Sequence, residues 1–334
     1  MIQKQLKWGV LGVGQISEIL APAIQSTRWA VPYAISSRSQ KKSEEFAKRH
    51  GFFKAYGSYQ DLLEDPELDV VYNPLPNWLH CEWTIKALQL GKHVLCEKPL
   101  ANSLSECKKM IRVSKRTKRL LVEAFAYRFH PQTIRIKSII DSGKIGKIRI
   151  IRAFLGFPLN LTTSNIRFKD QSGGGVLMDM GCYAINAIRF LMGAEPVSVH
   201  GNEFFGTKHP VDLTFGGMLA FSKERLGIFT CTFLTVRDFQ LEIIGSRGKI
   251  FVSHPWHPDS VHPSFTLQLG TRKQLVTSKR GRDVYRMQVD HFGRCIREQV
   301  QPKLSLQDSL ANMVVIEALQ RSAQTGREIK VIEV

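Results

Sequence analysis

A chain of 334 residues has room for two domains and a substantial core in each. With 43% hydrophobic and 23% charged residues, it has the composition of a globular protein and not of a disordered one. The formal net charge of +18, from 47 Lys and Arg against 29 Asp and Glu, is the one unusual bulk property; such a surface attracts nucleic acid, phosphorylated ligands or anionic lipid.

The N-terminal MIQKQLKWGVLGVG reads as a strand and lacks the basic region, apolar run and small-residue cleavage site of an export signal. No apolar stretch reaches the roughly 18 residues of a membrane span, so the expected compartment is the cytoplasm, with no membrane partner. Cys81, Cys96, Cys107, Cys182, Cys231 and Cys295 form no CxxC pair and read as reduced, packed thiols, without a disulfide framework or zinc site.

Up to about residue 124, short apolar runs alternate with helical patterns. The order is strand Lys7–Leu11, helix Ile16–Ser26, strand Ala30–Ser36, helix Gln40–His50, a strand at Lys54–Ala55 and a helix at Tyr59–Glu64. Strand Asp69–Tyr72, helix Leu79–Leu90, strand His93–Cys96, helix Leu104–Arg116 and strand Arg119–Ala124 follow. This alternation predicts βαβ units and a parallel, doubly wound sheet.

Directly after the first strand come Gly12, Val13, Gly14, Gln15, Ile16 and Ser17. In a dinucleotide fold the first glycine makes the tight turn, the second lets pyrophosphate approach the backbone, and the helix N-terminus meets its charge. Ser17 replaces the third glycine and is small enough for the same close packing. The alternative is a simple glycine-rich turn. At the end of the second strand, Ser36-Ser37-Arg38-Ser39-Gln40-Lys41-Lys42 offers hydroxyls and cations where an NAD enzyme offers a carboxylate. Ser37, Arg38 and Lys42 therefore suit the 2′-phosphate of NADP(H) over NAD(H); otherwise Arg38 is a solvent-facing loop charge. At the end of the fifth strand, VLCEKPL places Glu97 and Lys98 where the chain leaves the sheet, which is either a strand stop or a site.

The helix KKMIRVSKRTKRLL lies in a basic tract, 14 Lys and Arg against 3 Asp and Glu from Asn102 to Arg152. Its basic positions alternate with apolar ones and no aromatics interleave, so it reads as a solvated helix face, with no specific nucleic-acid partner. After AYRFHPQ the texture changes to KIRIIRAFLGF, VSVHGNEFF, TFGGMLAFS, LGIFTCTFLTV, FQLEIIGSRGKIFVS and FTLQLG. These predict a largely antiparallel sheet, crossed by helices near Val176–Met192 and Leu306–Thr325. The expected organisation is a dinucleotide-binding Rossmann domain over 1–124 and an α+β domain over 125–334. In the loop HPWHPDSVHP, His254, His257 and His262 lack the spacing and partner ligands of a metal site, so no metal is expected and a loop rim is the better reading.

Five motifs in order, GVGQIS, NPLPNWLH, CEKPL, EAFAYRFHPQ and GGGVLMDMGCYAINAIRFLMG, resemble the Gfo/Idh/MocA oxidoreductases. Within that family the last two are most similar to NADP-dependent D-xylose dehydrogenases and dimeric dihydrodiol dehydrogenases. Many members carry His where this chain has Tyr183, and Tyr at that place is what this branch resembles. The resemblance implies a Rossmann domain followed by a substrate domain whose open antiparallel sheet often serves dimerisation, hence a homodimer or homotetramer acting on a sugar or polyol. It also implies that Lys98 lies between nicotinamide and substrate, that Lys98–Pro99 is cis, and that Glu97 positions the cofactor amide or ribose. Leu75, Pro76, Asn77 and His80 would line the cofactor loop, unless Asn77 and His80 are helix caps. Arg128 is placed with the cofactor, or in packing between domains. Tyr127, Phe129 and Arg167 join Lys98, Asp179 and Tyr183 on the substrate side.

Oxidation of a carbinol needs a base, a hydride acceptor and positive charge near the developing oxyanion. Asp179 and Tyr183 stand i,i+4 on one predicted helix and share a face. A nearby ammonium such as that of Lys98 would favour the phenolate of Tyr183. Alternatively, Tyr183 is a half-buried helix residue and Asp179 a favourable charge at a helix start. The reading is an NADP(H)-dependent oxidoreductase acting on a sugar or cyclic polyol. A nucleotide-sugar ketoreductase and a dinucleotide-sensing regulatory or scaffold protein are the alternatives.

Overall fold

The computed structural model describes residues 5–162, 165–169, 173–256, 263–278 and 283–332. In chain order the elements are β1 Leu6–Leu11, α1 Gln15–Gln25, β2 Ala30–Ser36, α2 Gln40–His50, β3 Lys54–Tyr56, α3 Tyr59–Glu64, β4 Val70–Asn73, α4 Asn77–Gln89, β5 His93–Cys96, α5 Leu104–Thr117 and β6 Leu121–Glu123. A 3₁₀ turn, Ala126–Phe129, leads to α6 Pro131–Asp141, β7 Ile148–Gly156, a π-helical turn Leu177–Gly181, α7 Cys182–Met192, β8 Ser198–Phe205, β9 Asp212–Phe221 and β10 Arg225–Thr232. Then come β11 Asp238–Gly245, β12 Gly248–Val252, β13 Ser264–Leu269, β14 Arg272–Thr277, α8 Val284–Arg297, α9 Leu306–Thr325 and β15 Ile329–Lys330.

The first sheet is six-stranded and parallel throughout, in the order β3-β2-β1-β4-β5-β6. Its short strands are apolar on both faces, as a sheet covered by helices requires: all four residues of β4 are buried. The chain reverses direction across the sheet between β1 and β4, so the loops beyond the carboxyl ends of these strands diverge and leave a crevice.

By contacts the chain forms two compact units, Met1–Ala126 with Arg282–Ser309, and Tyr127–Gly281 with Leu310–Val334. The segment Arg282–Ser309, which the sequence alone leaves with the second domain, packs in the first unit because α8 lies on α1 and the sheet core. Phe292 meets Trp8 edge-on, centroids 5.4 Å apart, and a Cβ on Gly293 would stand 2.5 Å from Trp29 Cβ. On α8 the charged Arg286, Asp290, Arg294 and Arg297 stand opposite the buried Val289, Phe292 and Cys295, a clear amphipathic stripe, but nothing local in that stripe states which of the two units it covers.

The second sheet is nine-stranded, in the order β14-β13-β12-β11-β7-β10-β9-β8-β15, with β7 and β10 parallel and the other described pairs antiparallel. One face is buried beneath helices: a Cβ on Gly227 would stand 2.5 Å from Ile188 of α7, and Ser322 Oγ of α9 accepts the Gly201 N–H at 3.0 Å. The opposite face carries the row Met218, Ile228, Arg152, Glu242 and Phe251, of which Met218 is 45% exposed and Phe251 38%. Among the described residues no helix is long and apolar enough to cross a membrane, and all six cysteines are free and buried. On α5 the basic residues stand on the exposed side while Cys107, Met110 and Val113 are buried, the amphipathic arrangement expected from the sequence.

Phe292→Ala deletes a fully buried ring from the first unit. A loss of roughly 3–5 kcal/mol is expected in denaturant unfolding followed by Trp fluorescence; a loss under about 1 kcal/mol would show that α8 is not part of that core.

Candidate active site

Gly12 follows β1 with φ +89°, a left-handed conformation that suits glycine, and a Cβ there would stand 3.3 Å from Leu75 Cδ2. Gly14 is the exposed N-cap of α1, with open space around its missing Cβ and no side chain capping the first-turn amides. Such free N–H groups at the positive end of a helix, with room for an anion, fit the pyrophosphate of a dinucleotide. Ser17 is buried and its hydroxyl donates to Gly12 O at 2.8 Å, so the residue in place of the third glycine holds the turn itself. Gln15 is exposed and Ile16 half-buried.

At the end of β2, Ser37 is buried, and its Oγ accepts the Ser39 N–H at 3.1 Å. Arg38 and Lys42 are exposed; Lys42 N–H donates to Ser39 Oγ, the cap of α2. No acidic residue stands in the first turn of α2, where Lys41 and Lys42 lie against the favourable sign of the helix dipole.

α4 begins at Asn77, two residues earlier than the apolar pattern indicates, with Pro76 as its N-cap and no side chain capping it. Neither Asn77 nor His80 therefore caps the helix. Leu75 is buried, its N–H donating to Asn73 Oδ1 at 3.3 Å, while Pro76 and Asn77 are half-buried. His80 is wholly buried: Nε2 lies 2.7 Å from Leu75 O and Nδ1 2.9 Å from Pro99 O. Its ring thus ties the loop after β4 to the loop after β5 and presents nothing to solvent. Burial lowers its pKa to about 4. After β5, Glu97 Oε1 accepts the Tyr72 hydroxyl at 2.5 Å, and Lys98 is half-buried ahead of a cis peptide bond to Pro99.

In the second unit, Asp179 stands in the π-helical turn and Tyr183 in the first turn of α7, so the helix predicted as uniform changes winding between them. π turns concentrate at functional sites. The turn is built on glycine: Gly175 has φ +91°, and a Cβ there would fall 1.8 Å from Asp212 Oδ1. Asp212 Oδ2 accepts the Leu177 N–H at 2.8 Å, and burial raises this carboxyl to about 7. Sequence reading missed Asp212, which only the pairing of β9 brings to the helix start. Arg167 Nε donates to Asp179 Oδ2 at 2.7 Å. The half-buried Tyr183 packs on Tyr127 and Trp256, with ring centroids 6.0 and 5.9 Å away. Tyr127 is buried and donates to Asn186 Oδ1 at 2.6 Å; Arg128 reaches the same oxygen at 3.1 Å and lies 3.6 Å over the Phe190 ring. Arg128 is thus engaged by α7 of its own unit. Phe129 is buried, 3% exposed. Trp256 was missed as a site residue; His254 is described in its loop, while His257 and His262 lie outside the described residues.

Residues 6–125 match the model of an oxidoreductase family with an NAD-binding Rossmann fold, and 133–251 match the GFO/IDH/MocA C-terminal domain. The chain is 30% identical over 335 residues to D-xylose 1-dehydrogenase (NADP(+)) 2 of Haloferax volcanii, covering 97% of this chain and 99% of that one. It is 31% identical to trans-1,2-dihydrobenzene-1,2-diol dehydrogenase of Xenopus laevis, covering 94% and 97%. A crystal structure of a 3-ketoreductase from Actinomadura kijaniata with NADP and TDP-benzene superposes with TM-score 0.90 at 26% identity, covering 96% and 98%.

Burial keeps native His80 neutral down to about 4, whereas the unfolded chain takes up its proton near the ordinary 6.5. Stability from this residue is therefore complete above that upper value and falls as pH is lowered through the window, by up to about 3 kcal/mol. His93 and His291 shift the same way through burial. Urea unfolding near pH 7 and about pH 5 should show a smaller acid loss in His80→Gln than in the parent; an equal loss in both would place the titration elsewhere.

Proposed function

The chain belongs to the GFO/IDH/MocA oxidoreductase family, and from that premise we propose that it is an NADP(H)-dependent dehydrogenase or reductase of a sugar or cyclic polyol. The observation that carries the substrate side is Tyr183, half-buried between two aromatic rings with Asp179 and its Arg167 partner on the turn before it. Asp179 is engaged by the Arg167 guanidinium, so proton exchange with the carbinol oxygen is assigned to Tyr183. Lys98, just after the end of β5, is the residue proposed to supply positive charge for the developing oxyanion. The bound dinucleotide supplies or accepts the hydride. Asp179 and Arg167 orient the substrate hydroxyls.

Cofactor choice follows from the start of α2. Arg38, Lys41 and Lys42 gather at a helix N-terminus with no carboxylate in its first turn, an arrangement that an adenosine 2′-phosphate would neutralise. Gly12, Gly14, Gln15 and Ile16 would hold the pyrophosphate, with Leu75, Pro76 and Asn77 beside the turn and Glu97 near the nicotinamide end. His80 supports these loops from below. The open face of the nine-stranded sheet, with the exposed Met218 and Phe251 flanking the Arg152–Glu242 pair, suits a homodimer or homotetramer interface, and six reduced thiols suit the cytoplasm. A nucleotide sugar is the second substrate reading, since the A. kijaniata ketoreductase was crystallised with TDP-benzene.

Aldoses, cyclic polyols and nucleotide sugars tested by the absorbance of NADPH should single out one class. On that substrate Tyr183→Phe should lower turnover by roughly 10²–10⁴-fold while NADPH affinity changes little. Near-normal turnover with an unchanged pH profile would remove Tyr183 from the mechanism, and tight NADPH binding without turnover on any class would favour a sensor.

A further inference from the structure

Tyr59 is the first residue of α3, behind a cap in which Ser58 Oγ accepts the Asp61 N–H at 3.1 Å. Its half-buried ring meets Trp83 of α4 edge-on, centroids 5.1 Å apart at 83°, and Lys86 Nζ lies 4.2 Å over the other aromatic. The ring is therefore fixed from one side by α4 and by its own helix start. Its hydroxyl points to the glycine turn: Tyr59 Oη is 3.9 Å from where a Cβ on Gly12 would sit. Among the described residues that hydroxyl has no hydrogen-bond partner. Arg38 is close enough for its charge to act on the phenol, opposing the rise that burial imposes.

A tyrosine held by packing ordinarily satisfies its O–H, and here the hydroxyl lies instead beside the glycine turn that follows β1. The cation whose charge acts on it is Arg38, itself exposed and with no acidic residue in the first turn of the helix that follows. A neutral O–H donor beside a guanidinium is a pair that suits a dianionic phosphate ester: the cation supplies charge and the hydroxyl a short, directional bond. We propose that the Tyr59 hydroxyl donates a hydrogen bond to the adenosine 2′-phosphate of NADP(H) beside Arg38, so that it discriminates between the two dinucleotides. This rests on the cofactor reading above.

The test is calorimetric titration of the full chain and of Tyr59→Phe with NADP⁺, NAD⁺ and adenosine 2′-monophosphate, with Arg38→Ala as comparator. The phenylalanine keeps the contact with Trp83, so folding is preserved. NADP⁺ and the 2′-monophosphate should each bind roughly 10- to 100-fold more weakly to Tyr59→Phe, as for loss of a hydrogen bond to a charged group, with NAD⁺ changed by about twofold or less. Equal weakening of NADP⁺ and NAD⁺ would put the hydroxyl on the shared pyrophosphate and overturn the proposal, as would unchanged affinity for all three ligands. Selective loss in Arg38→Ala alone would leave the cofactor reading standing and refute only the role of Tyr59. Failure of the parent chain to bind either dinucleotide would refute both.

Discussion

The carboxyl edge of the parallel sheet is set by one buried imidazole. His80 sits one turn inside α4, yet its ring reaches back to Leu75 O and across to Pro99 O, so the loops leaving β4 and β5 are fixed to each other. Asn73 extends the tie from the end of β4, donating to His80 O and Thr84 Oγ1 and accepting from Leu75 N–H. Leu75 is thereby pinned where its methyl lies against the bare Cα of Gly12, which links the ring to the glycine turn of β1. A neutral imidazole has one N–H for two carbonyl oxygens, while burial opposes the second proton. The edge is thus held by a group that would gain a hydrogen bond by charging and lose more by charging in the dry interior.

The second unit solves a comparable problem with a carboxylate. The helix that carries Asp179 and Tyr183 starts inside the protein, where its first amides would cost free energy if left bare. Asp212 reaches Leu177 N–H from β9, and only a glycine at 175 leaves room for it. Placing an ionised carboxylate there is costly through burial, which is why this carboxyl titrates near 7 in spite of the helix dipole. The π turn that follows re-aims the residues after it, and Tyr127 and Trp256 fix the Tyr183 ring from the side.

Much of this was written in residue types whose local requirements are strong. GVGQIS between a strand and a helix identified the turn because Gly12 needs its positive φ and Gly14 its open flank, and the βαβ order followed from short buried strands between amphipathic helices. The parts that stayed hidden depend on distant pairing. α8 joins the first unit through Phe292 and Gly293, nearly 300 residues along, and its apolar stripe, although clear, does not say which sheet it will cover. α6 begins on Pro131 at a histidine cap, with the buried Gln132 and Thr133 among its packed positions, so its apolar pattern is faint. Asp212 reads as a polar strand start, Trp256 as a loop residue among prolines, and His80 as a loop ligand, because nothing in the linear chain states that the space around each is closed.

The strongly basic balance has two different structural outcomes. On α5 the cations are spread along an exposed face at helical spacing, over a buried stripe of Cys107, Met110 and Val113, where water screens them. At the start of α2 the same residue types stand where the backbone dipole already contributes positive potential, and there each added cation is unfavourable until an anion arrives. Net charge therefore indicates little by itself. What distinguishes a binding charge from a solubilising one is whether the local backbone opposes it, and in this chain that condition is met beside the end of β2.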